Sequence, residues 1–293
     1  MSFDFNYKAP KVIAEIGCNH MGNMDIAKEL IDLAKKAGVG FVKFQKRNNK
    51  ELLTEQQYGA KHPVPENSYG DTYGEHREFL EFNVAQNKEL KEYCDSINIT
   101  YSTSVWDVSS AREMITFAPE FLKVPSACNN NFKMLEVLRD DFKGQVQISI
   151  GMTTKEEVEE IVLFFEEKDQ AKSRLLLYSC TSGYPVPAKD VALLEINWLY
   201  SKYVNRISEI GFSGHHLGTS LDISAYTLGA KWIERHFTKD RSWKGTDHGA
   251  SLEFEGMKKL TQSLHETYNA LNFKDSEILP IEEVQREKLK NRK

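Results

Sequence analysis

Short apolar runs alternate with amphipathic stretches along the whole chain. The apolar runs fall at residues 12–17, 40–45, 100–105, 121–126, 146–150, 174–180, 206–213 and 232–238. Most are nearly continuous in Val, Ile, Leu and Phe rather than strictly alternating, the pattern of strands covered on both faces. The stretches between them, such as 24–37, 154–167 and 221–228, repeat their apolar residues at helical spacing. In the first of these, Ile26, Leu30, Leu33, Ala34 and Ala37 share one face, and Gly38 follows as a stop signal. Eight strands alternating with helices predict a single (β/α)8 TIM barrel, one α/β domain over residues 1–293. A doubly wound open sheet is the alternative, and it usually carries a glycine-rich phosphate loop after its first strand. The first strand–helix turn here reads Gly17-Cys18-Asn19-His20-Met21-Gly22, which is not GxGxxG. The closed barrel is therefore the expected fold.

One connection breaks the rhythm. Residues 46–80 separate the second strand from its helix and carry Gly59, Gly70, Gly74, Pro63, Pro65, Tyr58, Tyr69 and Tyr73. A connection of that length in a compact domain is a functional lid or a disordered insertion. The tyrosines and the pair His76-Arg77 favour a lid-like loop over the site. The charged tail at 274–293 reads as a weakly packed terminal helix over 281–291, with Glu282, Glu283, Arg286 and Lys288 as a solvated face.

Composition narrows the function classes. The chain has 293 residues with 38 basic and 43 acidic side chains, a net charge of −5. That balance offers no general attraction to nucleic acid or to an anionic membrane, so any anionic ligand needs a local cationic cluster. No apolar run approaches the roughly 18 residues that span a bilayer, and the first ten residues are not a signal peptide. The four cysteines, Cys18, Cys94, Cys128 and Cys180, show no CxxC spacing and read as reduced thiols of a cytoplasmic protein.

In a barrel, the C-terminal strand ends converge on one pocket. Those ends here hold Glu15, then Lys43 and Gln45, then Ser102, Thr103 and Ser104, then Lys123 and Ser126. Ser149, Ser182, Tyr184, Ser213, His215, Glu234 and His236 follow, with Asp247 just beyond the last strand. Lys43 and Lys123 lie inside apolar runs, where an isolated ammonium is costly. Three arrangements account for them: pairing with Glu15 or Glu234 inside the barrel, a cationic cradle for phosphate or carboxylate, or a Schiff-base amine. The surrounding hydroxyls favour oxyanion binding. Five histidines also sit at or beyond strand ends: His20, His215, His216, His236 and His248. His215 and His236, on neighbouring strands, are the best pair for a divalent metal with open positions for water or substrate. With no cysteine cluster to complete four ligands, a structural zinc is disfavoured. Residue types alone lead to a metal-assisted enzyme acting on a phosphorylated anion.

At this point the residues resemble a known family. Ala14-Glu15-Ile16-Gly17-Cys18-Asn19-His20-Met21-Gly22 and Val42-Lys43-Phe44-Gln45 are similar to the N-terminal motifs of N-acetylneuraminate (sialic acid) synthases. So are Lys123-Val124-Pro125-Ser126, Cys180-Thr181-Ser182-Gly183-Tyr184-Pro185 and Gly211-Phe212-Ser213-Gly214-His215. Ile233-Glu234-Arg235-His236-Phe237-Thr238 and Asp247-His248 complete a collinear set over roughly residues 11–285. The resemblance implies a barrel enzyme that condenses phosphoenolpyruvate with an aldose such as N-acetylmannosamine, giving a nonulosonic 2-keto-3-deoxy sugar acid and releasing phosphate. It implies Mn²⁺ or Mg²⁺ on His215 and His236. Lys43, Thr103, Lys123, Ser126, Ser149, Ser182 and Ser213 would surround phosphoenolpyruvate, with Glu15, Gln45, Tyr184 and Asp247 completing the site. A homo-oligomer, dimer or tetramer, is also implied.

Three departures bear on the sugar side. Family members commonly carry a C-terminal antifreeze-like domain that lends an arginine to the partner subunit, and this chain is expected to lack it. The family motif GxSDHT reads Gly211-Phe212-Ser213-Gly214-His215-His216, so His216 could compete with His215 as ligand. Met21 and the short Pro125-Ser126-Ala127 stretch also differ. Two other readings stay open: a pyruvate aldolase working through a lysine or a metal, and a non-catalytic sugar-binding barrel.

Overall fold

The structure, a computed structural model, describes residues 7–290. Its parallel strands are β1 (Lys11–Gly17), β2 (Phe41–Lys46), β3 (Thr100–Val105), β4 (Phe121–Val124), β5 (Gln145–Ser149), β6 (Leu175–Cys180), β7 (Glu209–Gly214) and β8 (Trp232–His236). They close into a barrel in sequence order, so the expected fold is the one observed. Strand ends move by a few residues. β4 stops before Pro125, which lacks the N–H to extend a ladder, and a 3-10 turn over Ser126–Cys128 follows.

The apolar runs conceal an alternation. In a strand, successive side chains point to opposite faces. Outward residues such as Val42, Phe44, Leu122, Val124, Ile148, Leu177, Phe212 and Ile233 belong to one large core beneath the helices. Inward residues Ile13, Phe121, Leu176, Tyr178 and Trp232, with Phe41 against them, form a separate plug inside the barrel. The next inward positions are polar: Glu15 pairs in register with Lys43, Lys43 with Ser102, Ser104 with Lys123, and Ser213 with Glu234. The plug is the floor on which those polar groups stand. Gly211 makes it possible. A Cβ there would come within 2.5 Å of the Tyr178 ring and 3.1 Å of the Trp232 carbonyl. Gly211→Ala is expected to destabilise the protein by about 1–3 kcal/mol through overpacking. Denaturant unfolding at unchanged m-value checks this; an unaltered midpoint would contradict it.

Helix Met24–Lys36 shows how local signals set the outer layer. Asn23 Oδ1 accepts from the Asp25 and Ile26 N–H groups at 2.8 and 3.1 Å, and Lys35 and Lys36 close the last turn. Its buried face is Ala27, Leu30, Ile31 and Ala34, slightly rotated from the predicted one.

The 46–80 connection is ordered. It holds helices Asn49–Leu52, Glu55–Gly59 and Tyr73–Leu80 and a 3-10 turn Pro65–Asn67. Capping boxes at Thr54 and Thr72 start the second and third helices. Tyr69 donates its hydroxyl hydrogen to the Lys244 carbonyl at 2.6 Å, latching this insertion to the loop after β8. The tail forms helix Pro280–Leu289 with no buried residue; Asn291, the predicted end of that helix, and residues 1–6 and 292–293 of the predicted domain lie outside the described residues. Among the described residues, no helix is long and apolar enough to cross a membrane.

Candidate active site

The strand ends line a cavity of about 460 Å³, within the range that takes small ligands. On its floor, two lysines meet two carboxylates. Lys43 forms an ion pair with Glu15, donates to Ser104 Oγ at 2.6 Å and lies 3.8 Å from Glu234 Oε2. Lys123 forms an ion pair with Glu234, and its ammonium stands 4.1 Å from the Tyr178 ring centroid. Gln45 Nε2 donates to Glu15 Oε1 at 2.9 Å, and Ser213 Oγ to Glu234 Oε1 at 2.9 Å. Burial by itself would raise the Glu234 carboxyl, but the Lys123 and Lys43 ammoniums and the Ser213 hydroxyl outweigh it and hold it at about 2. The pairing expected of these lysines and their place on the pocket wall therefore coexist. The four charges sum to zero.

A wall of hydroxyls rises beside Lys123. Ser126, Ser149, Ser182 and Ser213 all line the cavity. The Gly151 N–H donates to Ser126 Oγ at 3.0 Å, fixing that rotamer. The expected role of Thr103 requires correction. Its neighbour Ser104 lines the cavity, while Thr103 has the parity of outward Tyr101 and Val105 and is fully buried outside it. Lys43 and Gln45 face inward, and their register partners are Ser102 and Ser104, so the pleat turns Thr103 away.

The histidines separate by environment. The rings of His215 and His236 stand 5.5 Å apart, and Tyr184 packs 4.3 Å from the first and 5.8 Å from the second. His215 Nδ1 lies 3.0 Å from the Thr181 carbonyl, which leaves Nε2 free. Burial, then the neighbouring His236, pushes His215 down to about 3, so it is a neutral imidazole at physiological pH. His236 Nδ1 is buried without a hydrogen-bond partner, 3.9 Å from Asp247 Oδ2. Burial would raise Asp247, but His236, Arg47 and Arg77 hold it below the usual carboxylate range. Two imidazoles on neighbouring strand ends, one with its second nitrogen on a backbone carbonyl, are the donor set a divalent metal takes. Among the described residues no third His, Cys, Asp or Glu joins them, so water or substrate would supply the other positions.

The other three strand-end histidines are held by contacts outside the His215–His236 pair, although His248 also borders the cavity. His20 stacks on Phe82 at 3.9 Å and accepts from the Gly22 N–H. His248 Nδ1 lies 2.7 Å from Thr238 Oγ1. His216 does not compete with His215: its Nε2 points away from the cavity, 3.3 Å from Asp222 Oδ2.

Several cavity residues escaped sequence reasoning. Arg47 leaves the end of β2, stacks its guanidinium 3.9 Å from the Trp106 ring centroid, and donates to Gln45 and to Cys18 Sγ, the latter at 3.4 Å. Arg77 enters from helix Tyr73–Leu80, 5.9 Å from the Tyr73 ring centroid. Burial and repulsion from Arg47 both lower the Arg77 pKa. Neither guanidinium forms an ion pair with a carboxylate among the described residues. Lys244 lines the same rim. The signal available in the sequence was the Lys46-Arg47 and His76-Arg77 pairs flanking the insertion; the fold was needed to aim them. Gly17, at φ +56°, ends β1 where a Cβ would sit 2.9 Å from Gln45 Nε2 and 3.1 Å from Glu15 Oε1.

Comparisons with known proteins bear on the family and the fold. The NeuB family model matches residues 30–276. N-acetylneuraminate-9-phosphate synthase of Drosophila melanogaster is 37% identical over 274 residues, 93% of this chain and 70% of that protein. The Homo sapiens protein of the same name is 36% identical over 283 residues, covering 95% and 76%. An N,N'-diacetyllegionaminic acid synthase of Campylobacter jejuni is 28% identical, covering 90% and 78%. Among solved structures, the sialic acid synthetase of Leptospira borgpetersenii superposes with a TM-score of 0.80 at 28% identity, covering 97% of this chain and 94% of that one.

Proposed function

Because the chain belongs to the NeuB family, we propose that this cavity condenses phosphoenolpyruvate with an aldose to give a nonulosonic acid and inorganic phosphate. The observation that carries the reading is the charge-balanced lysine–carboxylate floor beside a wall of serines, facing the His215 and His236 imidazoles in one cavity. Lys123 and Lys43 would hold the phosphate and carboxylate oxygens, with Ser126, Ser149, Ser182 and Ser213 donating neutral hydrogen bonds. Gln45, Tyr184 and Asp247 remain for the acceptor. At His215 and His236, the chemistry a divalent ion, Mn²⁺ or Mg²⁺, would supply is Lewis-acid polarisation of the aldehyde oxygen.

The phosphoenolpyruvate C3 then bonds to the aldehyde carbon, and water adds at C2. We assign Glu15 as the group that accepts the proton of that water. The tetrahedral adduct expels phosphate by C–O cleavage, and the lysines and hydroxyls stabilise the departing charge. The bridging oxygen consequently leaves with phosphate. Incubation of bridge-¹⁸O phosphoenolpyruvate with Mn²⁺ and a panel of N-acetylmannosamine, its 6-phosphate, mannose and diacetamido hexoses should give ¹⁸O-phosphate and a thiobarbiturate-positive product. No phosphate with any acceptor overturns the reading, and a borohydride-trapped pyruvate adduct would favour a Schiff-base aldolase instead.

We further read the acceptor as a 6-phosphorylated hexosamine. The unpaired Arg47 and Arg77, with Lys244 nearby, sit on the acceptor side of the cavity beside Gln45 and Asp247. They are suited to a dianion. Condensation adds three carbons ahead of the aldehyde carbon, so an acceptor C6 becomes C9 of the product. That matches the 9-phosphate in the names of the fly and human relatives.

A further inference from the structure

Behind the barrel wall lies a buried polar cluster that the reaction does not touch. Arg235 on β8 points outward, its side chain fully buried. It donates from Nη1 to Asp222 Oδ2 at 2.6 Å and to the Gly218 carbonyl at 2.7 Å, and from Nη2 to the His216 carbonyl at 2.5 Å. His216 Nε2 lies 3.2 Å from the same Nη1 and 3.3 Å from Asp222 Oδ2. Gly214 lies against this cluster: a Cβ there would meet His216 Cε1 at 3.0 Å and Arg235 Cδ at 3.1 Å.

A fully buried ion pair is poor evidence of stabilisation, because desolvation offsets most of the attraction. This one is not tuned for stability either. Asp222 Oδ1, His216 Nδ1 and Arg235 Nε have no hydrogen-bond partner. What the cluster does achieve is a tether between two segments. The arginine adjacent to His236 holds the backbone carbonyl of the residue adjacent to His215. We infer that Arg235, with Asp222 as its counter-charge and His216 as a wedge, is a positioning residue that sets the spacing of His215 and His236. The inference rests on the reading of those two imidazoles as a metal pair. A rigid fork making bonds to two carbonyls and one carboxylate is something lysine cannot reproduce.

Mn²⁺ binding to the full chain, measured by calorimetry without substrates, tests it. Asp222→Asn and Arg235→Lys should each weaken Mn²⁺ binding by about 10–100-fold, the usual cost of losing an outer-shell support. The KM for phosphoenolpyruvate should hold, because none of its cradle residues (Lys43, Lys123 and the four serines) bonds to Arg235 or Asp222. The double variant Arg235→Met/Asp222→Leu removes the buried charges together and should fold with wild-type or higher Tm. A role in stability alone predicts that this double variant binds Mn²⁺ normally; the positioning role predicts that it remains weakened. Wild-type affinity in the variants overturns the inference while leaving the metal pair intact. A wild-type protein that binds no Mn²⁺, or binds it equally after His236→Ala, overturns the metal assignment and the inference with it.

Discussion

Lys123→Met should abolish phosphate release and lower the stability of the protein together. The Lys123 ammonium is buried against Glu234, which also takes a hydrogen bond from Ser213. Removing one member of a buried pair strands the other, at a cost of about 3–5 kcal/mol. Removing a cationic donor from the departing phosphate should lower kcat by about 10²–10³-fold in addition. Lys123→Met/Glu234→Leu separates the two effects. It should restore much of the thermal stability, because both charges have left the interior, and none of the turnover. Recovery of turnover in the double variant would show that Lys123 acts only as scaffolding. Acid behaviour offers a second check. Glu234 is held at about 2, below its ordinary 4.5. A depressed carboxyl contributes stability above its unfolded value, and that contribution is lost as the pH falls from 4.5 toward 2. In Lys123→Met this acid-linked loss should shrink, because the group lowering the carboxyl most is gone.

Arg77→Gln should cut kcat/KM for N-acetylmannosamine 6-phosphate by about 100-fold, close to 2.7 kcal/mol. The KM for phosphoenolpyruvate and the slow rate with unphosphorylated N-acetylmannosamine should change little. The physical basis is selective. Arg77 and Arg47 repel one another in a partly desolvated rim, and a phosphate dianion placed between them relieves that repulsion. An unphosphorylated sugar leaves it in place. A matching rise in the KM for phosphoenolpyruvate would move the arginines to the other substrate. A wild-type enzyme that prefers the unphosphorylated sugar would remove the acceptor assignment and leave the condensation itself standing. Because Arg77 is carried by the 46–80 insertion, the same experiment asks whether that insertion confers acceptor choice.

The outcome at single positions shows which inferences needed only the chain. The eight strands were legible because a strand covered on both faces must be apolar on both, and Val, Ile, Leu and Phe runs of that length have few other uses. Lys43 and Lys123 were conspicuous for the same reason: a charge inside such a run requires a partner. His215 and His236 could be paired because neighbouring strands in a sequential barrel bring their ends together. Motif order carried the family assignment, since many weak matches in one register are collectively specific.

Other features were decided by contacts between residues far apart in the chain. Thr103 and Ser104 are adjacent, and only the register of β3 against β2 determined which one enters the cavity. Which carboxylate each lysine takes was open until the barrel closed; Lys123 and Glu234 are 111 positions apart. His216 and His215 are equally good ligands by type, and the pleat turned one outward to Asp222 and the other inward to His236. Arg47 and Arg77 sit in polar segments without periodicity, so the expected lid-like loop gave no sign of which side chains it would aim into the cavity. The sequence by itself determined the barrel, its chemistry-bearing residue types and its family, because burial and spacing are properties of short segments. Direction and partnership belong to the tertiary structure, because a side chain's facing depends on register, and its charge balance on neighbours brought close only when the sheet closes.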